Sequence, residues 1–281
     1  MSGRHVEVRV FPLDLKEYLK FNSINFDDNL DIIKNMKEIN KGIENLMSNG
    51  GFPDIVLHTD ISNELISSHF DTIILKDVIG RYKIRDEGKI RALAKFYISS
   101  TSTRITYNSI SKFLKIPVKT VERYSSYLEK VYLIFFLNNY SLSIKTIENS
   151  PRKVHVIDNG FTKIFNPKIS RGRLFESLVA QFLYKYSLTK RMETYYWYDN
   201  VEVDLVVVNN DRILPIQVVY DLSEEDTFQR EFKALKKFME KMGVNNGIIV
   251  IYRGEEREVE GIKIIHAYKF FLSEILKTYL E

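Results

Sequence analysis

Glu202 and Asp204 stand two residues apart in an otherwise apolar run from Val201 to Val208. In a strand, that spacing puts both carboxylates on one face and Val203 and Leu205 on the other. A carboxylate there is costly unless it is paired, solvated or bound to metal. Gln217 shares a face with Val219 in the next apolar run, and Glu176 lies on a helical stretch upstream. If Glu176, Asp204 and Gln217 meet in one cleft, their oxygens could hold Mg²⁺, a hard cation that takes oxygen ligands and keeps several waters. The chemistry such a group would do is metal-assisted phosphodiester hydrolysis.

That chemistry also needs a cation to offset charge in the transition state, and the position two residues after Gln217 is where a lysine is expected. The sequence has Val219. A methyl-bearing side chain cannot stabilise developing negative charge, so the reading is of a centre that could bind metal without cleaving. Lys233 or Lys236 on the following helix would have to leave solvent to substitute.

The elements that position these residues read as α-β-β-β-α-β. The helix carries Leu174, Leu178 and Phe182, and strands follow at Thr194 to Tyr198, Glu202 to Val208 and Ile213 to Tyr220. A helix from Glu224 to Met242 and a strand from Gly247 to Tyr252 come next, then a short strand at Ile262 to Ile265 and a closing helix from Phe270 to Leu280. Ahead of them, Lys89 to Leu137 reads as three helices and a strand. Thr106 or Asn108 caps the second helix, Ile116-Pro117 makes the turn, and Val121, Tyr124 and Leu128 line the third. With a second strand at Lys153 to Ile157 beyond a polar loop, this is the order of a winged helix-turn-helix, which can set its last helix in a major groove. Lys119, Thr120 and Arg123 are then the groove-facing candidates, with Lys112 and Lys115 on phosphates. The bland alternative is a packing or dimerisation unit. Residues 13 to 75 are helical, broken at Gly50-Gly51-Phe52-Pro53, and Val6 to Phe11 alternate as a strand ended by Pro12.

Charge agrees with a nucleic-acid partner only locally. The chain of 281 residues has a formal charge of +4, yet Arg81 to Lys130 holds twelve Lys or Arg against four Asp or Glu. A concentrated patch attracts phosphate, whereas scattered charge mainly serves solubility. The absence of Cys excludes disulfides, cysteine-ligated metals and thiol nucleophiles, and it fits a reducing, cytoplasmic setting. No apolar run nears the ~18 residues of a membrane span, and Met1 to Glu7 lacks the apolar stretch of a signal peptide. His155 and His266 sit in strand-like runs and read as packing or hydrogen-bonding residues. No Gly-x-x-x-x-Gly-Lys loop occurs, so ATP binding is not expected.

Gly3-Arg4, Phe11-Pro12-Leu13, Glu17-Tyr18-Leu19, Gly50-Gly51-Phe52-Pro53, Asp77-Val78-Ile79, Arg81-Tyr82, Arg85-Asp86 and Thr120-Val121 occur in an order that resembles the C-terminal portion of archaeal and bacterial AAA-type ATPases. That family carries a domain of unknown function behind its motor. The run from Lys153 to Asp158 with Gly160 resembles its motif after the wing. Glu176, Glu202-Val203-Asp204 and Ile216-Gln217-Val218 resemble its nuclease-like end, which is similar to the PD-(D/E)xK restriction-endonuclease fold. The resemblance implies an α/β (overall α+β) chain of three parts: an ATPase strand remnant and helical lid at 1–80, a winged helix at 81–165 and a nuclease-like domain at 166–281. It implies a role for Arg81 in sensing ATP in a complete ATPase. The expected function is a DNA-binding or interaction module with an inactive nuclease-like domain. The alternatives are a Mg²⁺-dependent nuclease with a relocated lysine, and a truncated ATPase fragment that docks a motor domain. An ATPase partner or self-association through an exposed Val6 to Val10 edge is also expected, and no membrane contact is.

Overall fold

The computed structural model describes residues 9–281. Gly3-Arg4 and Val6 to Val8 of the expected first strand therefore lie outside the described residues; Arg9 and Val10 form no strand, and Val10 is exposed. The helical part begins with α1 (Leu15–Phe21), started by a reciprocal cap between Asp14 and Glu17, then α2 (Asn29–Lys34) and α3 (Met36–Asn49). On α3, Ile39, Ile43, Leu46 and Met47 recur at helical spacing and are all buried. Gly50 stops the helix at φ +85°, and Pro53 sits in the first turn of α4 (Pro53–Leu57). A single 3₁₀ turn leads to α5 (Ser62–Thr72), which runs on as π-helix through Ile73–Gly80.

The middle of the chain is α6 (Glu87–Ser99), β1 (Thr103–Ile105), α7 (Tyr107–Leu114), α8 (Val118–Lys130), β2 (Ile134–Leu137), α9 (Ile144–Asn149) and β3 (Arg152–Val156). The three strands form an antiparallel sheet in the order β1-β3-β2, with Arg104 opposite Lys153 and Phe136 opposite Val154. Thr106 caps α7 by accepting from the Ser109 N–H, Lys115 ends it in the left-handed region, and Pro117 leads straight into α8. Val121, Tyr124 and Leu128 turn inward on α8 as the spacing requires. The polar loop expected between the two strands holds α9.

After α10 (Gly160–Phe165) and α11 (Arg171–Lys190) come β4 (Glu193–Asp199), β5 (Val201–Asn209), β6 (Arg212–Asp221), α12 (Glu225–Met242), β7 (Gly247–Arg253), β8 (Arg257–Val259), β9 (Ile262–His266), α13 (Ala267–Leu272) and α14 (Ile275–Leu280). The six strands make one mixed sheet in the order β4-β5-β6-β7-β9-β8. β4, β5 and β6 pair antiparallel, β7 joins β6 and β9 in parallel, and β8 returns antiparallel on β9. The fold is α+β, with the expected α-β-β-β-α-β order intact. The closing helix is split in two at Ser273, whose backbone is extended. Among the described residues, no helix is long and apolar enough to cross a membrane.

Helix α11 covers one face of the large sheet with Phe175, Leu178 and Leu183, packed against Leu205, Val207 and Ile216. Helix α12 covers the other with Phe228, Leu235 and Phe238, against Val203, Val206 and Val219. Along β5, Val203 and Val206 serve the α12 side while Leu205 and Val207 serve the α11 side, so the alternation slips by one residue at Asp204-Leu205. The pairing with β4 slips there too, since Tyr195 faces Val206 and Trp197 faces Val203. This is a β-bulge, a device that re-aims a side chain at the cost of two ladder bonds.

Candidate functional site

The bulge decides where Asp204 points. The β5–β6 ladder reaches Leu205 opposite Ile216 and stops, leaving the Asp204 and Val218 N–H groups without strand partners. Side chains satisfy both. Gln217 Oε1 accepts the Asp204 N–H at 3.1 Å, and Asp204 Oδ2 accepts the Val218 N–H at 3.0 Å. The Gln217 amide donates to the Glu202 carbonyl at 3.3 Å and to the Glu231 carboxylate. Its polar atoms are thus committed to the backbone and to α12.

Glu176, Glu202 and Asp204 converge, but on an ammonium. Lys153 Nζ lies 2.6 Å from Glu176 Oε1, 2.6 Å from Glu202 Oε1 and 3.0 Å from Asp204 Oδ1, on a side chain only 1% exposed. The expectation that no cation stands beside the carboxylates is overturned, and with it the ground, a missing lysine at Val219, on which the sequence reads the centre as non-cleaving. Lys153 reaches in from β3, on the other side of the Glu176 helix in sequence. Neither lysine considered on α12 does so: Lys236 pairs with Glu260, and Lys233 is exposed. Val219 is buried against the α12 side of the sheet.

Arg104, the β1 neighbour of Lys153, closes the group from outside. Its Nε is 2.9 Å from Glu202 Oε2, and its guanidinium lies 3.5 Å over the Tyr198 ring. An open cleft lined by Ser102, Arg104, Thr106, Ser109, Pro151 and Glu202 gives the cluster its solvent side. Behind it, His155 stacks on Phe135, meets the Ser102 hydroxyl through Nδ1 and turns Nε2 towards Glu176 Oε1 at 3.9 Å, beyond hydrogen-bond reach.

The electrostatics follow from burial. Taking the Lys153 ammonium out of water favours its neutral form, but the attraction of Asp204, Glu176 and Glu202 outweighs this and holds its pKa well above the usual lysine value. Burial pushes the Glu176 carboxyl up to about 8, against the pull of Lys153 and with the push of Asp204. Burial, then the Lys153 charge, keep His155 well below the usual imidazole range, so it is neutral.

These donors do not suit Mg²⁺ as they stand. One oxygen from each of the three carboxylates faces the ammonium, the second Asp204 oxygen is on a backbone N–H, and so is the Gln217 carbonyl oxygen. Among the described residues, no group of three His, Asp or Glu is disposed to hold a metal ion.

A second buried carboxylate ties the helical part to this region. Asp158 Oδ2 accepts the Gly51 N–H and Oδ1 the Gly160 N–H, both at 2.7 Å, and burial raises its pKa to about 6.

On α7 and α8 of the middle unit, Lys112, Lys115, Lys119 and Arg123 are exposed, Thr120 is half-buried, and Phe113 between the first two is 71% exposed. Arg123 lies 5.5 Å from the ring of Tyr124, a buried residue. The DNA-binding candidates thus lie on α7, its C-terminal cap and α8, and all but Thr120 are exposed.

Lys153 and Arg104 are the residues that sequence reasoning missed. The signal was present: a lysine in the apolar run Val154 to Ile157 needs a buried partner by the same argument that singled out Asp204.

Residues 171–270 match the model of a domain of unknown function (DUF4143), and residues 40–166 match a second one (DUF8612). An uncharacterized protein of the archaeon Methanocaldococcus jannaschii is 30% identical over 272 residues, which are 94% of this chain and 60% of that protein. An uncharacterized protein of Haemophilus influenzae is 22% identical over 280 residues, 97% of this chain and 66% of its own length. The chain thus spans less than two thirds of either relative. No solved structure matches it.

Proposed function

We propose that this chain is a duplex-DNA-binding module whose nuclease-like domain is silent. In this reading α6 to β3 form a winged helix-turn-helix, and the layout derives from the C-terminal portion of AAA-type ATPases. The observation that carries it is the unpaired state of Lys112, Lys115, Lys119 and Arg123: among the described residues no carboxylate bridges any of them. Other cations among those residues, Lys233 for one, also lack a carboxylate partner, whereas Lys185 pairs with Asp14 and Glu17, Arg171 with Glu44 and Lys241 with Asp199; what sets these four apart is that they cluster on α7, its C-terminal cap and α8. Exposed cations without partners neutralise phosphate and release its counterions. The helix, strand, helix, helix, strand, strand order, with the short α9 inserted between the last two strands, and the β1-β3-β2 sheet support the winged-helix part. Lys119, Thr120 and Arg123 open α8, where a recognition helix meets base edges, and Lys112 and Lys115 flank it for the backbone.

The silence of the α/β domain rests on Lys153. An ammonium held among three carboxyl groups offsets part of their charge and fills the space between them, making a structural tie between β3, α11 and β5. The reading is tested by a mobility-shift titration of the full chain on a short duplex at several salt concentrations. Binding should weaken steeply with salt and be markedly weaker when Lys119 and Arg123 are replaced by Ala. Affinity indifferent to salt, or unchanged in that variant, rejects it.

A second reading, a Mg²⁺-dependent nuclease, is favoured by one fact: the ammonium 3.0 Å from Asp204 is the relocated lysine that such an enzyme would use. It requires Lys153 to yield its place between the carboxylates to the ion. Incubation with plasmid, single-stranded DNA and RNA plus Mg²⁺ or Mn²⁺ separates the two, since cleavage above that of Asp204→Ala supports the nuclease.

A further inference from the structure

The phosphate-binding face extends beyond the helices that first suggest it. On α8, Lys119, Arg123, Tyr127 and Lys130 recur at i, i+4, i+8 and i+11, which places them within about 80° of one another on a single stripe. The Tyr127 ring is stacked on Tyr82 with centroids 3.8 Å apart and planes 4° from parallel. That contact pins the last helical residues before α6, and the turn that follows them, to the far end of the stripe. Tyr82 is flanked there by Arg81 and Lys83, with Arg85 two residues on; all three cations are exposed, and no ion pair engages them among the described residues. The acids nearby in the chain are Asp77, one turn before Arg81, Asp86, which is taken by Lys89, Glu87, half-buried Glu129, and Glu122, which stands about 60° off the stripe. Lys83 holds a left-handed backbone at φ +50°, and Ile84 N–H bonds back to the Ile79 carbonyl, so the loop turns sharply and holds its shape.

Length decides what these residues meet. Eleven residues of helix span about 17 Å, and the major groove is about 12 Å wide. A helix whose N-terminal end is seated at the bases and which crosses the groove carries the other end of its stripe over the wall, where the sugar-phosphate backbone runs. Groove-reading side chains have no use there, and cations do. We infer that Arg81, Lys83 and Arg85 form a second phosphate clamp for duplex DNA, docked on α8 through the Tyr82–Tyr127 stack. The inference rests on the DNA-binding reading above and adds to it a longer footprint on one strand.

The test is the slope of log Kd against log salt for the full chain on a short duplex, compared among wild type, Arg81→Ala/Lys83→Ala/Arg85→Ala, and Lys119→Ala/Arg123→Ala. Each lost phosphate contact lowers the slope by about 0.9, so the triple variant should lose about 2 to 3 in slope and roughly tenfold or more in affinity. Tyr82→Ala, which frees the loop without removing charge, should reproduce part of that loss, and Tyr82→Phe, which keeps a ring on Tyr127, should restore it. If the triple variant keeps the wild-type slope while the α8 variant loses its share, the clamp is wrong and the DNA-binding reading stands. If wild type does not bind the duplex, both fall.

Discussion

Lys153 Nζ stands 3.0 Å from Asp204 Oδ1, joining a strand of the small sheet to a bulge in the large one. Both residues are charged groups in apolar strands, and each is the reason the other is tolerated. The pair explains why a cluster with the residue types of a hydrolytic site holds a cation of the protein's own.

Lys153→Met should therefore be strongly destabilising, by about 3–5 kcal/mol, because it leaves buried carboxylates without compensation. Adding Asp204→Asn to that variant should recover part of the loss by removing one of the stranded charges. Urea unfolding of the three proteins measures this, and a Lys153→Met protein within about 1 kcal/mol of wild type would show that the ammonium is not a structural tie.

The raised Glu176 pKa has a definite sign. The folded chain holds that proton more tightly than the unfolded one, where the usual value of 4.5 applies, so the contribution is complete below pH 4.5 and is lost as pH rises through about 8. His155 runs the other way, its share being present above pH 6.5 and lost in acid. The difference between wild type and Glu176→Gln isolates the first group. From pH 4.5 to 8 the variant should gain on wild type, by an amount on the order of a few kcal/mol. A difference that is flat across that window contradicts a carboxyl titrating there.

Gly50→Ala should destabilise the chain by about 2 kcal/mol or more. The residue sits at φ +85°, and a Cβ would come within 1.8 Å of Asp158 Oδ1, the atom that accepts from Gly160. Asp158→Asn should cost about 1–3 kcal/mol, since its amide would set a donor against a backbone N–H. Thermal unfolding checks both, and a neutral Gly50→Ala would mean that the Asp158 contact is not holding the helical part in place.

Much of this architecture was legible in periodicity. The α-β-β-β-α-β order, the capped α7 and the inward stripe of α8 all follow from spacing that strands and helices impose over many residues. What was missed is short or non-local. β1 and β8 have three residues each, too few to alternate, and α9 is six residues in a polar loop. The bulge at Asp204 leaves no mark in composition, since valines surround it on both faces. Lys153 was quoted for its place after the wing and not for its chemistry, because its partners are 23, 49 and 51 residues further along the chain. A buried cation in an apolar strand announces that it needs anions, and only the tertiary fold says which.

Replacing Lys119 and Arg123 by Ala should leave the unfolding transition within about 0.5 kcal/mol of wild type, as both are exposed and unpaired, while lowering the salt slope of duplex binding by about 1.8. A loss of stability without a loss of slope would make these cations structural.

The most direct measurement incubates wild type and Asp204→Ala with a labelled duplex in Mg²⁺ across a salt series, then examines the DNA before and after removal of the protein. The account predicts a retarded complex that weakens with salt at a slope of at least about 3, and full-length DNA recovered from both proteins. No retarded complex, or shortened DNA from wild type but not from Asp204→Ala, would contradict it.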